Sequence, residues 1–230
     1  MFKNLFFWLL ITLLFSQCSE DIKPTDAAIG REYYPVKVGN YWIYDVVETR
    51  VSNNKYDSLK YQIRELIDTV YRNAANEITY RVKYSRKKNN DPDWTNDSLL
   101  MLNKSLSDVR RTQNNFKTIS LVFPVQEGKQ WKPNAFNTRD VEEYYYTGVN
   151  QPFVLNNVTY DSTITVVQGE PDLTVLDDRK EVYAYKTGLI YKNHTVYEYA
   201  QIAPGNIPDP TRVAKGFKRV LKLKSFYSAE

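Results

Sequence analysis

The chain carries one cysteine, one histidine, two methionines and eight glycines in 230 residues. With Cys18 alone no disulfide can form within the chain, so stability has to come from the core. Cys/His zinc sites need more ligands than these. No Gly-x-x-x-x-Gly-Lys or Gly-x-Gly-x-x-Gly loop is present to cradle phosphates, so no metal, nucleotide or other cofactor is expected. Charge of one sign is also missing: 31 Lys and Arg face 27 Asp and Glu, and the surplus is spread along the chain. That leaves no electrostatic footprint for nucleic acid. The lone imidazole, His194, lies in Tyr191-Lys192-Asn193-His194-Thr195, which reads as a hairpin turn, and no Gly-x-Ser-x-Gly elbow accompanies it. Long apolar runs are absent too. Leu5 to Phe15 spans eleven residues, broken only by Thr12, against the roughly 20 that a membrane span requires.

Carboxylates are plentiful but scattered. Asp177-Asp178, Glu142-Glu143 and Asp91/Asp93 each adjoin basic or turn residues and read as solvated loop charge rather than as a catalytic pair. Asp91-x-Asp93 with Asn96-Asp97 lacks the central glycine and closing glutamate of a calcium loop. No catalytic residue is assigned, and a non-enzymatic role is expected.

What dominates is tyrosine, 19 residues of it, a side chain that suits half-buried pleated surfaces. Extended segments with period-two alternation are predicted at 41–51, 61–71, 78–84, 99–106, 116–122, 143–147, 158–167, 181–185, 189–200 and 219–227. In the third, Ile78, Tyr80, Val82 and Tyr84 alternate with Thr79, Arg81 and Lys83. Ser85–Asn96 reads as a polar loop, Ser105–Thr112 as the best short helix, and the proline-rich 204–210 stretch as irregular. The expected fold is all-β: an antiparallel, strongly curved sheet, half-barrel or sandwich of about ten strands with little helix.

One pattern occurs twice. Tyr34-Pro35-Val36-Lys37-Val38-Gly39-Asn40-Tyr41-Trp42 matches Phe123-Pro124-Val125-Gln126-Glu127-Gly128-Lys129-Gln130-Trp131, 89 residues further on. Proline ends an extended segment, glycine takes φ > 0 in a tight turn, and tryptophan opens the next strand. Tyr34, Trp42, Phe123 and Trp131 are therefore candidates either to plug the core or to line one cavity. The repeat also suggests that a single β domain over 32–230 consists of two related halves, 32–119 and 120–230.

The N-terminus has a short basic n-region, the Leu5–Phe15 apolar run, and Ser16-Gln17 before Cys18. Leu14-Phe15-Ser16-Gln17-Cys18 resembles a lipobox, which implies a signal peptide over 1–17 and acylation of Cys18 with palmitate-type chains. Such an anchor is stable at about 0.8 kcal/mol per buried CH₂. Residues 18–31 read as a flexible tether. Cys18-Ser19-Glu20-Asp21 resembles the pattern that sends Bacteroidetes lipoproteins to the outer face of the outer membrane, with Ser19, Glu20 and Asp21 as export signal; the periplasmic face is the alternative.

The Tyr34–Tyr44 opening and the Tyr183-Ala184-Tyr185-Lys186-Thr187-Gly188-Leu189-Ile190-Tyr191-Lys192 segment resemble those of uncharacterised Bacteroidetes surface lipoproteins. Lys186-Thr187-Gly188 departs from the Gly-Val-Gly more usual there. The resemblance implies a curved sheet and carries over no activity. The expected role is a lipid-anchored binding or assembly module of the cell envelope, meeting a lipid, glycan or protein partner and no nucleic acid. The alternative is a lipid carrier with an apolar concave face, resembling half-barrel lipoprotein-trafficking proteins; a hydrolase is a distant third.

Overall fold

The computed structural model describes residues 25–88, 91–202, 205 and 207–229, so the leader and Cys18, Ser19, Glu20 and Asp21 lie outside the described residues. Strands β1 (Tyr41–Ser52), β2 (Lys55–Arg72), β3 (Ile78–Lys88), β4 (Thr95–Lys104), β5 (Asp108–Gln113) and β6 (Phe116–Val122) form one meander. Strands β7 (Gln130–Trp131), β8 (Tyr144–Leu155), β9 (Val158–Val167), β10 (Val175–Ala184), β11 (Gly188–Ile202) and β12 (Ile207–Tyr227) form another. β1 pairs with β12, which fuses the two into one twelve-stranded antiparallel sheet with β6 and β7 at its edges.

Those two edges curl toward each other. The Ile119 amide donates to the Pro133 carbonyl at 2.9 Å, and the Trp131 indole N–H donates to the Ile119 carbonyl at 3.1 Å. The Val122 amide donates to the Tyr146 hydroxyl at 2.8 Å. The result is a nearly closed barrel that leaves little free edge to recruit foreign strands.

Alternation builds the wall. On β2, Tyr61, Ile63, Glu65 and Ile67 point in and are buried, while Gln62 and Arg64 between them are half-exposed. Tyr44, Ile63, Ile67, Leu121, Tyr146 and Ile164 are among the completely buried side chains. Three hairpins turn on Asn-Asn pairs with positive φ at both residues: Asn53-Asn54, Asn114-Asn115 and Asn156-Asn157. Asparagine tolerates that region better than other non-glycine residues, and its twist matches that of the strands it joins.

The structure corrects several sequence expectations. There are twelve strands where about ten were expected, and most run longer than the alternation indicated. β3 continues to Lys88 and β4 starts at Thr95, inside the expected Ser85–Asn96 loop. The expected helix at Ser105–Thr112 is a turn followed by β5, because cross-strand pairing with β4 and β6 overrides local propensity. β12 begins at Ile207 and includes Pro208 and Pro210, opposite a stretch of β11 where the register shifts. The end of the expected tether is also folded: Asp26–Ile29 is a short helix (α1), capped by Thr25 and ended by Gly30 at φ 79°, with a 3₁₀ turn over Arg31–Tyr33.

Candidate functional site

In a meander the connections alternate between the two ends of the barrel. The turns at 73–77, 105–107, 123–129, 156–157 and 185–187 share one end with the N-terminal segment, which closes it. The Val125 amide donates to the Ile29 carbonyl at 3.0 Å, and the Lys186 amide to the Glu32 carbonyl at 2.9 Å. Lys104 Nζ donates to the Tyr34 carbonyl at 2.9 Å. Burial, with Arg31 nearby, lowers that ammonium to about 8. The Tyr33 hydroxyl donates to Asn150 Oδ1 at 2.6 Å, and the Tyr34 ring leans on Tyr183 at 5.8 Å.

The two copies of the repeated motif occupy this closed end and make the same turn. In the first, the Gly39 amide donates to the Ile67 carbonyl at 2.8 Å, and the Ile67 amide returns a bond to Asn40 at 2.9 Å. In the second, Gly128 and Lys129 make the corresponding pair of bonds with Tyr146 at 2.9 and 3.1 Å. Each tryptophan then spends its N–H on a backbone carbonyl: Trp42 on Thr187 at 2.6 Å, Trp131 on Ile119 at 3.1 Å. Trp42 stacks on Phe226 and presses on Gly188, where an added Cβ would lie 3.3 Å from the indole nitrogen. Trp131 packs against Tyr144 and Tyr146. Tyr34, Trp42, Phe123 and Trp131 all sit in the buried core, and none of them lines the large cavity.

That cavity, about 600 Å³, fills the other half of the lumen. It opens at the end carrying the 114–115 turn and the 132–143 connection, where Asn114, Phe116, Thr138 and Arg139 are exposed. Its walls are charged. Arg111 donates to Glu65 at 2.6 Å and to the Tyr34 hydroxyl at 2.8 Å. Lys192 donates to Glu181 at 2.6 Å, and the Tyr183 hydroxyl donates to the same carboxylate. Arg179 holds Asp177 through two bonds at 2.7 Å and Glu142 through a third at 2.7 Å. Arg219 donates to Glu48 at 2.7 Å, and Tyr61 donates to that carboxylate at 2.9 Å. The Arg139 guanidinium lies 4.1 Å over the Phe116 ring at the mouth.

These pairs set the protonation states. Burial pushes the Glu181 carboxyl up, but Lys192, the Tyr183 hydroxyl and Arg111 outweigh it and hold the group below the usual carboxylate range. Burial opposes the charge on Arg111 as well, and Glu65 and Tyr34 restore it. Burial pushes the Tyr34 hydroxyl up to about 12, so it stays protonated. His194 is lowered to about 4 by burial and by Lys192, Arg179 and Arg219, against a small opposing effect of Asp177; the imidazole is neutral at physiological pH.

His194 is therefore not in a turn. It lies in mid-β11, faces the cavity, and packs edge-on against Phe217. Glu142 and Asp177, expected as solvated loop charges, are drawn in as partners of Arg179. Glu65, Arg111, Glu181 and Lys192 escaped the sequence reading. They lie up to 127 residues apart in sequence; Arg111 fell in the expected Ser105–Thr112 helix, while Glu65 sits between Ile63 and Ile67 at an inward position of β2. A charged residue at such a position was the only available signal. No group of acidic, histidine or cysteine side chains suited to a metal ion occurs among the described residues.

No protein-family model and no curated protein sequence matches the chain. Among solved structures, it is similar to a protein from Bacteroides fragilis described as exported and as having a YmcC-like fold. The likeness has a TM-score of 0.45 at 8% identity, covering 85% of this chain and 98% of that one.

Proposed function

We propose that this protein is a lipid-anchored, non-catalytic binding module of the cell envelope that holds a hydrophilic ligand in the barrel. One observation carries the reading: the lumen is plugged with aromatic core at one end and lined with mutually paired charges at the other. Buried charge adds little to stability, since apolar side chains of similar volume often serve as well or better. A cluster of perturbed groups in a cleft is the usual mark of a functional site. The same lining argues against the lipid carrier. An acyl chain would have to displace water from Arg111, Arg179, Lys192 and Arg219 and offer nothing in return. A hydrolytic role is disfavoured because Glu65, Glu142 and Glu181 are each bonded to a cation of the wall, which leaves none of these three carboxyls free to meet a substrate as a general acid.

The anchor half of the proposal rests on Cys18 and on the Ser19-Glu20-Asp21 pattern, which favours the outer face of the outer membrane over the periplasmic face. Replacing Cys18 with Ala should release the protein from the membrane fraction; retention there would refute the anchor. The ligand half is tested by native mass spectrometry of the exported protein taken gently from its host. A hydrophilic mass freed by denaturation is expected. A bound lipid would restore the carrier, and a bare protein would turn the search to a protein partner on the outer surface.

A further inference from the structure

We propose that the ligand is an uncharged oligosaccharide, bound between the charge-paired walls of the cavity and the unpartnered Ser120, Gln168 and His194. The inference rests on the reading of this cavity as a ligand site and adds the chemical class.

The cavity is rich in charge but has almost no net charge to offer. Five cations line it, Arg111, Arg139, Arg179, Lys192 and Arg219, against four carboxylates, Glu65, Asp140, Glu142 and Glu181. Arg111, Arg179 and Lys192 are bonded to lining carboxylates, and Arg219 is bonded to Glu48, its buried cross-strand neighbour on β1. Arg139 is left at the mouth beside its sequence neighbour Asp140, of opposite sign. At depth, away from Arg139 and Asp140, an anion would find no cation and a cation no carboxylate that another described residue does not already engage.

The unspent hydrogen-bonding capacity is neutral instead. Ser120 and Gln168 are each only 7% exposed, line the cavity, and make no side-chain hydrogen bond to another described residue. His194 is likewise without such a bond, and burial, with the cations around it, keeps it uncharged. None of their polar atoms is among those sealed from solvent without a partner, so this capacity is open to whatever enters the cavity.

A hydroxyl group fits this wall better than any charged group does. It donates and accepts at once, so it can give its proton to Glu181 or Glu65 while accepting from Lys192 or Arg111, without separating either pair. The Tyr84 and Tyr144 rings present apolar surface between these polar groups, as the C–H faces of a sugar require. A volume of about 600 Å³ falls within the range of small-ligand pockets and suits a short oligosaccharide.

The test uses the purified full-length exported protein on a printed array of neutral and acidic oligosaccharides, with titration calorimetry on the sugars retained. Neutral oligosaccharides are expected to bind. Gln168→Ala and His194→Ala should each weaken them about tenfold, the worth of one neutral hydrogen bond. Thermal melting of each variant monitors the fold, and Arg64→Ala on the outer wall serves as a control expected to leave binding unchanged. Retention of acidic sugars alone would overturn the neutral class, and undiminished binding in both variants would overturn the site. If no sugar binds while native mass spectrometry shows another hydrophilic mass, such as a zwitterionic peptide, this inference fails and the ligand-site reading stands. If neither a sugar nor any mass is found, both fail.

Discussion

Trp42 and Trp131 illustrate how much a single residue type carries at this closed end of the barrel. Both are nearly buried, both donate to a backbone carbonyl, and both pack on aromatic neighbours. Replacing either with Ala should destabilise the fold by about 3–5 kcal/mol in denaturant titrations. Retained stability with lost ligand binding would contradict their place in the core. These two were legible in advance because the motif around them recurs. The charged lining was not, because an inward Glu65 or Glu181 carries no local sign of its cation on another strand. His194 adds a pH dependence whose sign follows from its environment. Its folded value of about 4 lies below the ordinary 6.5, so the unfolded chain takes up a proton first as pH falls. Stability should decline between about pH 6.5 and 4, by up to roughly 3 kcal/mol from this group. The lowered Glu48 and Glu181 add their own loss once pH falls through their folded values. His194→Gln should flatten the first part of that profile in melts at pH 7, 5.5 and 4.5; an unchanged slope would mean the imidazole is not held neutral.

At the scale of elements, the hairpins and the paired motif turns decide where strands start and stop. The Asn-Asn pairs at 53–54, 114–115 and 156–157 mark three boundaries that alternation alone left loose, a turn signal that the sequence reading passed over. Strand lengths were harder to read. The outer ends of β2 and β12 are exposed on both faces, so no hydrophobic period reports them, and only pairing keeps them extended. Positive φ at Gly39 and Gly128 follows from the repeated motif, yet the two sites are not equivalent. Gly128 at φ +72° has open space where a Cβ would stand, whereas at Gly39, φ +96°, an added Cβ would meet Ala229 at 2.9 Å. Gly128→Ala should therefore cost about 1–2 kcal/mol, the left-handed penalty alone. Gly39→Ala should cost distinctly more. Equal losses in parallel melts would show that the C-terminal contact is slack and that backbone strain alone sets the cost.

For the whole molecule, two six-stranded meanders meet at β1 and β12, and each opens with the same turn against its next long strand. This arrangement makes duplication of a half-domain a natural origin, with the chain passing between halves at 123–129. The halves differ in what precedes their motif. The first is preceded by the 25–33 segment, which closes the barrel end, and Tyr34 ties this plug to the cavity by accepting from Arg111. The plug and the mouth lie at opposite ends, so an anchor at Cys18 would hold the mouth away from the lipid, where a soluble ligand arrives. The tie also makes the plug part of the site. Tyr34→Phe removes one acceptor from a guanidinium buried with Glu65 and should cost about 1–3 kcal/mol while leaving the ring in place. Removing residues up to Pro35 takes away the rings of Tyr33 and Tyr34 as well, a further loss on the order of 3–6 kcal/mol. It also leaves the Lys104 ammonium without its carbonyl partner. Hydrogen exchange should then rise around β4, β5 and the 185–187 turn, which the plug contacts, before it rises at the mouth end of the barrel. Uniform protection across the sheet in the truncated chain would show that the barrel closes on its own and that the N-terminal segment merely rests on it.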